Sequence, residues 1–239
     1  MATFSNYTVA KELAGVEIIN NNPYTIDSSL FSDPIRIGTG SGNIVQGQQS
    51  IAIGVGSGQT QGDFDSAFGS QSGKSSNGAT VSVGFGAGST SQGFEATAVG
   101  FEAGSLNAGS GSCAFGANSG SINHGLGAIS FGNNSAYTDS GIYSISLGHN
   151  ACTSASADHT ITINSSSLAQ NNTTLNTIVI NASDVAIVPS GNPGFYVSPV
   201  SESASEAGSV THTPISSNFS QILYYNPTTQ EIRACNYAS

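Results

Sequence analysis

One short unit returns through most of this chain at a nearly constant step. It reads "IAIGVGSG" from position 51, "SAFGSQSG" from 66, "VSVGFGAG" from 81, "TAVGFEAG" from 97, "CAFGANSG" from 113, "ISFGNNSA" from 129 and "ISLGHNAC" from 145. The glycines that follow the apolar triplet are Gly38, Gly54, Gly69, Gly84, Gly100, Gly116, Gly132 and Gly148, and their step never varies by more than one position. Two looser copies, "ITIN" and "IVIN", end on Asn164 and Asn181. Asn is the next-best residue after Gly for a positive φ angle, so these two are expected to replace the glycine at the turn. That makes about ten rungs between Ile35 and Asn181. A short, regular period is the mark of a solenoid, in which each repeat buries its face only by stacking on the next.

Each rung opens Φ-x-Φ, as in Ile51/Ile53, Val81/Val83, Ile129/Phe131 and Ile161/Ile163. Alternation over three residues predicts a short strand with one buried face, and the apolar outer members are the expected core. A second glycine recurs at Gly47, Gly62, Gly78, Gly93, Gly109, Gly125 and Gly141. Two corners per rung predict two short strands folded back on each other, and so an all-β, two-layered parallel β-solenoid. Small residues follow each first glycine (Ser41, Ser57, Ser72, Ala87, Ala103, Ser119, Ser135, Ala151). They leave room for another backbone to approach. A rung with so few apolar side chains has a thin core, so rungs from several chains are expected to share one.

Composition narrows the partners. Charged residues make up 8% of the chain, against roughly 25% in ordinary soluble proteins. The net charge is −10, and the four basic residues, Lys11, Arg36, Lys74 and Arg233, are scattered. Without a basic patch to neutralise phosphates, nucleic-acid binding is not expected. No apolar run approaches the ~20 residues of a membrane span, so membrane insertion is not expected either. The opening "MATFSNYTVAKEL" has neither the basic nor the apolar region of a secretory signal. Cys113 and Cys152 read as small apolar fillers, without metal-ligand spacing.

The pattern Φ-x-Φ-G-x-x-[SA]-[GA] over roughly residues 35–164, with two looser rungs to 181, resembles the head domain of trimeric autotransporter adhesins, the YadA-like head. The resemblance implies a left-handed parallel β-roll, with three rolls packed about a threefold axis. The stalk and membrane anchor of that family have no counterpart in the sequence, and no heptad run occurs.

Beyond the repeat the chain changes character. "NPGFYVSPV" (Asn192 to Val200) and "QILYYNPTTQEI" (Gln221 to Ile232) resemble a segment of fibre proteins from tailed phages and large DNA viruses. There an extended piece and a hairpin precede a self-cleaving C-terminal chaperone. "NPTTQE" is the expected turn of the hairpin. Residues 1–34 break the repeat and are expected to form an N-terminal cap or attachment segment. The expected division is therefore 1–34, a β-roll over 35–184, and a β-rich trimerisation and capping segment over 185–239.

No catalytic constellation emerges. "GTGSG", "GVGSG" and "GFGAG" look like phosphate-cradling loops, but they recur in every rung and lack the helix such a loop requires. His124, His149, His159 and His212 do not converge, so no metal is expected. Asp63, Asp65, Glu95, Glu102 and Asp139 lie on different rungs and offer no carboxylate pair. Phe85 and Phe101 share one slot, two residues past the strand. They are candidates either for packing between chains or for contact with a host glycan. The reading is a homotrimeric structural and adhesive fibre protein of a virion, exposed outside and used for host attachment through a cell-surface glycan or protein, without enzymatic activity or cofactor. The alternative is a head fragment of a bacterial trimeric autotransporter adhesin.

Overall fold

The computed structural model describes residues 34–189, 191–199, 221–226, 229 and 231–236. The expected N-terminal cap lies outside the described residues, as do His212 and the stretch 200–220. Ten strands follow the repeat: β1 (Ile35–Ile37), β2 (Ile51–Ile53), β3 (Ser66–Phe68), β4 (Val81–Val83), β5 (Thr97–Val99), β6 (Cys113–Phe115), β7 (Ile129–Phe131), β8 (Ile145–Leu147), β9 (Ile161–Asn164) and β10 (Ile178–Asn181). Each pairs in parallel with the next, in register, so that Ala98 lies beside Ala114 and Val99 beside Phe115. Among the described residues there is no helix. The molecule is a parallel β-solenoid, with one rung to each repeat of the sequence.

Only one strand forms per rung. The opposite layer is a line of isolated parallel bridges, running Thr90, Leu106, Ile122, Thr138, Ser154. From Thr90 onward a local feature accompanies the interruption. Ser91, Asn107, Asn123, Asp139 and Ala155 follow these bridge residues at φ between 50° and 55°, and a left-handed residue ends an extended run. The rungs 35–50, 51–65 and 66–80 have no positive-φ residue at this place, and Val45, Thr60 and Ser75 form isolated bridges there as well.

The burial is the reverse of the expected one. The middle residues of the triplets point inward: Ala52, Ala67, Ser82, Ala98, Ala114, Ser130, Ser146, Thr162 and Val179 are all at most 1% exposed. Opposite them lie Ser57, Ser72, Ala87, Ala103, Ser119, Ser135 and Ala151, also buried. Where Ala98 and its equivalents face the opposite layer, the two layers approach closely. A Cβ added at Gly104 would sit 3.1 Å from the Ala98 Cβ. The apolar outer members therefore face away from the chain's own interior. Ile35, Phe68, Val81, Val83, Ile129, Phe131, Ile163 and Ile178 are all exposed.

The interior is largely polar, and many of its polar groups are paired, with Gln61 Oε1, His124 Nδ1 and Asn172 Oδ1 among the exceptions. The Asp65 carboxylate accepts hydrogen bonds from Ser76 Oγ at 2.5 Å, Thr80 Oγ1 at 2.7 Å and Thr80 N at 2.8 Å. Gln92 Nε2 donates to the carbonyls of Val81 and Ala96, while its Oε1 accepts from Ser82 Oγ. Toward the C-terminal end the column of middle residues grows from Ser146 through Thr162 and Val179 to Tyr196, and Val179, Ile187 and Tyr196 form an apolar cluster.

The ladder does not stop at β10. β11 (Phe195–Ser198) pairs with it in parallel and forms an eleventh rung inside the segment expected to be separate. β12 (Gln221–Asn226) and β13 (Glu231–Asn236) make the expected hairpin, antiparallel with Asn226 opposite Glu231. β13 pairs antiparallel with β11, so one continuous sheet of 13 strands runs from β1 to the hairpin.

Candidate binding surface

All eight repeat glycines lie at φ between 107° and 136°. Asn164 and Asn181 do not share this conformation. They extend β9 and β10 by one residue and are buried. Their side chains take over the corner. Asn164 Nδ2 donates to the carbonyls of His149 at 2.9 Å and Leu168 at 2.8 Å, and its Oδ1 accepts from Ser166 N. Asn181 repeats the arrangement on Val185 O and Ser183 N. Asn serves here as a side-chain bracket, the role it plays in Asx turns. The second-corner slot also moves by one in the third rung. Asn77 N donates to Gln92 O as Gly93 N does to Ala108 O, so Asn77 rather than Gly78 occupies it.

The glycine-rich pieces that imitate phosphate loops sit at corners after β1, β2 and β4, with no helix following. His124 is buried, with Nε2 2.7 Å from Ser130 Oγ and Nδ1 without a partner. Burial holds its pKa down at about 4. His149 and His159 are exposed on the surface, and the His159 ring lies 5.7 Å from that of Tyr143. Among the described residues no group of His, Cys, Asp or Glu could hold a metal ion, and no helix is long and apolar enough to cross a membrane. Cys152 fills the interior, donating to Thr162 Oγ1 at 3.2 Å, whereas Cys113 lies half-buried on the outward strand face.

Two surface features remain. The first is the outward face of the strands, where two columns of mostly apolar side chains run the length of the parallel stack. Phe115 and Phe131 stack on it at 5.6 Å. At ~4.8 Å per strand the columns form a stripe roughly 50 Å long and about 10 Å wide. Its area, on the order of 500 Å², is in the upper half of the range for the largest apolar patch on a monomer.

The second is a cleft of about 220 Å³ beside Phe85. Phe85 and Phe101 are each about half exposed, at 51% and 49%, and their rings stack at 5.6 Å with planes 12° apart. Two columns bound the cleft, Gln71–Gly86–Glu102 and Lys74–Ser89–Ser105, with Phe85 and Thr90 completing it. The sequence pointed to the two phenylalanines but not to Gly86 and Lys74. Registering the shorter rung over the longer one that follows would have found them, because it stacks Lys74 on Ser89 and Gln71 on Gly86.

This architecture defines the class, a parallel β-solenoid repeat protein. No family model, no curated protein and no solved structure matches the chain.

Proposed function

We propose that this chain is a structural and adhesive segment of a virion fibre, assembled as a homotrimer, exposed outside the particle and used in host attachment. No catalytic role and no cofactor enter this reading. The observation that carries it is the outward apolar stripe. A chain that keeps Ala and Ser inside and turns Ile, Val and Phe outward gains little hydrophobic stabilisation alone. The same stripe on a second and a third copy supplies the missing apolar burial, at about 25 cal/mol for each Å² removed from water. Closed symmetry makes such contacts self-limiting, and the number three follows from the resemblance to YadA-like heads.

The hairpin of β12 and β13 favours the fibre over the bacterial adhesin head, since it falls on the motif that resembles viral fibre proteins. Light scattering tests the assembly. The expected mass is three times the 24.0 kDa of one chain. A folded monomer at micromolar concentration would remove the shared core and the proposal with it.

A further inference from the structure

The cleft beside Phe85 has the features of a carbohydrate subsite. Phe101 covers one face of the Phe85 ring. On the other side the same slot holds Ser70, whose side chain is too short to cover an aromatic face. Phe85 is therefore held from above and left bare toward the cleft, which it lines while Phe101 does not.

The floor of the cleft is Gly86. Its column is left-handed throughout, with φ of 60° at Gln71, 65° at Gly86, 51° at Glu102 and 55° at Asn118. A Cβ at Gly86 would meet only Glu102 Cγ, at 3.4 Å. The fold therefore tolerates a side chain here, and the missing one opens a notch one rung tall. Its walls carry polar groups still open to a ligand. Among the described residues the side chains of Gln71, Lys74 and Glu102 have no hydrogen-bond or ion-pair partner. One ammonium, one carboxylate and one amide supply both donors and acceptors.

These features fit a single pyranose. A cavity of about 220 Å³ is below the ~300 Å³ at which pockets for drug-sized ligands begin. It accommodates one ring against an aromatic face. The Lys74 and Glu102 charges offset each other, and a net charge of −10 repels anionic ligands at long range. We propose that this notch binds one neutral pyranose, stacked on Phe85, with hydroxyls held by Lys74, Gln71 and Glu102. The proposal rests on the adhesive reading above and names its ligand class.

Saturation-transfer NMR on the full chain tests it. The probes are the methyl glycosides of glucose, galactose, mannose and N-acetylglucosamine at about 5 mM, suited to the millimolar affinity expected of a single ring. At least one neutral glycoside should receive saturation. Phe85→Ser should reduce the transfer by roughly tenfold or more, and so should Gly86→Asn, which fills the notch with the residue this column already carries at Asn118. The assembly mass should stay the same in both variants.

The subsite is overturned by silence from every neutral glycoside, or by transfer that survives both variants. Transfer only from a methyl sialoside added as an acidic probe overturns it as well. A changed assembly mass in Phe85→Ser overturns it too, because the stack is then a contact between chains. Light scattering of the unmutated chain reads the assembly separately. A monomer that still receives saturation through the notch supports the subsite and removes only the fibre reading.

Discussion

Gly100 lies directly against Gly116 of the next rung. A Cβ at Gly100 would stand 2.4 Å from the Gly116 carbonyl oxygen, and Gly100 itself sits at φ 136°. Both facts demand glycine, and they do so separately. That φ lies far outside the left-handed well that Asn tolerates, and the clash involves backbone that cannot swing aside.

Gly100→Ala and Gly100→Asn should therefore be comparably damaging, each costing roughly 3 kcal/mol or more. Glu102→Asn, two residues on at φ 51°, should be within ~0.5 kcal/mol of neutral. Thermal unfolding followed by circular dichroism compares the three. A Gly100→Asn variant with an unchanged midpoint would show that the corner has been misjudged.

Neighbouring residues on β5 should fail in different ways. Ala98 is 1% exposed between the layers, and Ala98→Leu should cost about 1–3 kcal/mol or more by overpacking. Val99 faces outward, and Val99→Ser should leave the rung folded while weakening association. Circular dichroism reads the first effect and analytical ultracentrifugation the second. A Val99→Ser chain that associates as tightly as the original would mean that the stripe is not an interface.

His124 sets a pH dependence whose sign is determined by its burial. Its folded pKa is about 4, below the ~6.5 of an exposed imidazole. Between these values the unfolded chain binds a proton that the folded chain does not, so stability falls as pH drops from about 6.5 toward 4. The loss is on the order of 3 kcal/mol per chain across that window. His124→Gln should flatten the profile, since Gln61 and Gln92 already occupy the same buried column. Denaturant midpoints measured at pH 7 and pH 5 decide the matter, and equal sensitivity in both proteins would rule His124 out as the cause.

The period was legible because its glycines have no substitute. A backbone at Gly100 or Gly116 that nearly touches the next rung excludes every side chain, so the spacing survives in the sequence. The direction of burial was not legible. Alternation in Ile51-Ala52-Ile53 places two residues on one face and one on the other, but does not say which face is inside. The distance between layers decides that, and over the middle rungs the layers are close enough at the triplet that Ala98, Ala114 and Ser130 fill the space. Asn164 departs from the expected turn for a related reason. Its identity fits a left-handed turn, yet three hydrogen bonds to His149, Leu168 and Ser166 hold it extended, and those partners are set by the fold. The hairpin at Asn226 and Glu231 was legible, because its turn chemistry is local.

The C-terminal hairpin changes what the end of the stack presents. Without β12 and β13, β11 would end the parallel ladder with an unpaired edge whose register is that of every other rung. Such an edge is a template for a strand of another copy, and pairing that runs head to tail does not close. β13 instead covers β11 in the antiparallel sense, through Phe195 opposite Ile232 and Tyr196 opposite Glu231. The outermost strand becomes β12, which does not continue the rung pattern. A chain cut after residue 199 keeps β11 and Tyr196 but loses this cover. It should form polydisperse end-to-end polymers visible by sedimentation velocity and electron microscopy, while the full chain stays discrete. Val197→Lys in the shortened chain should suppress the polymers, as a charge on an edge strand does elsewhere. A shortened chain that remains a discrete species with the thermal midpoint of the full one would show that β11 needs no cover.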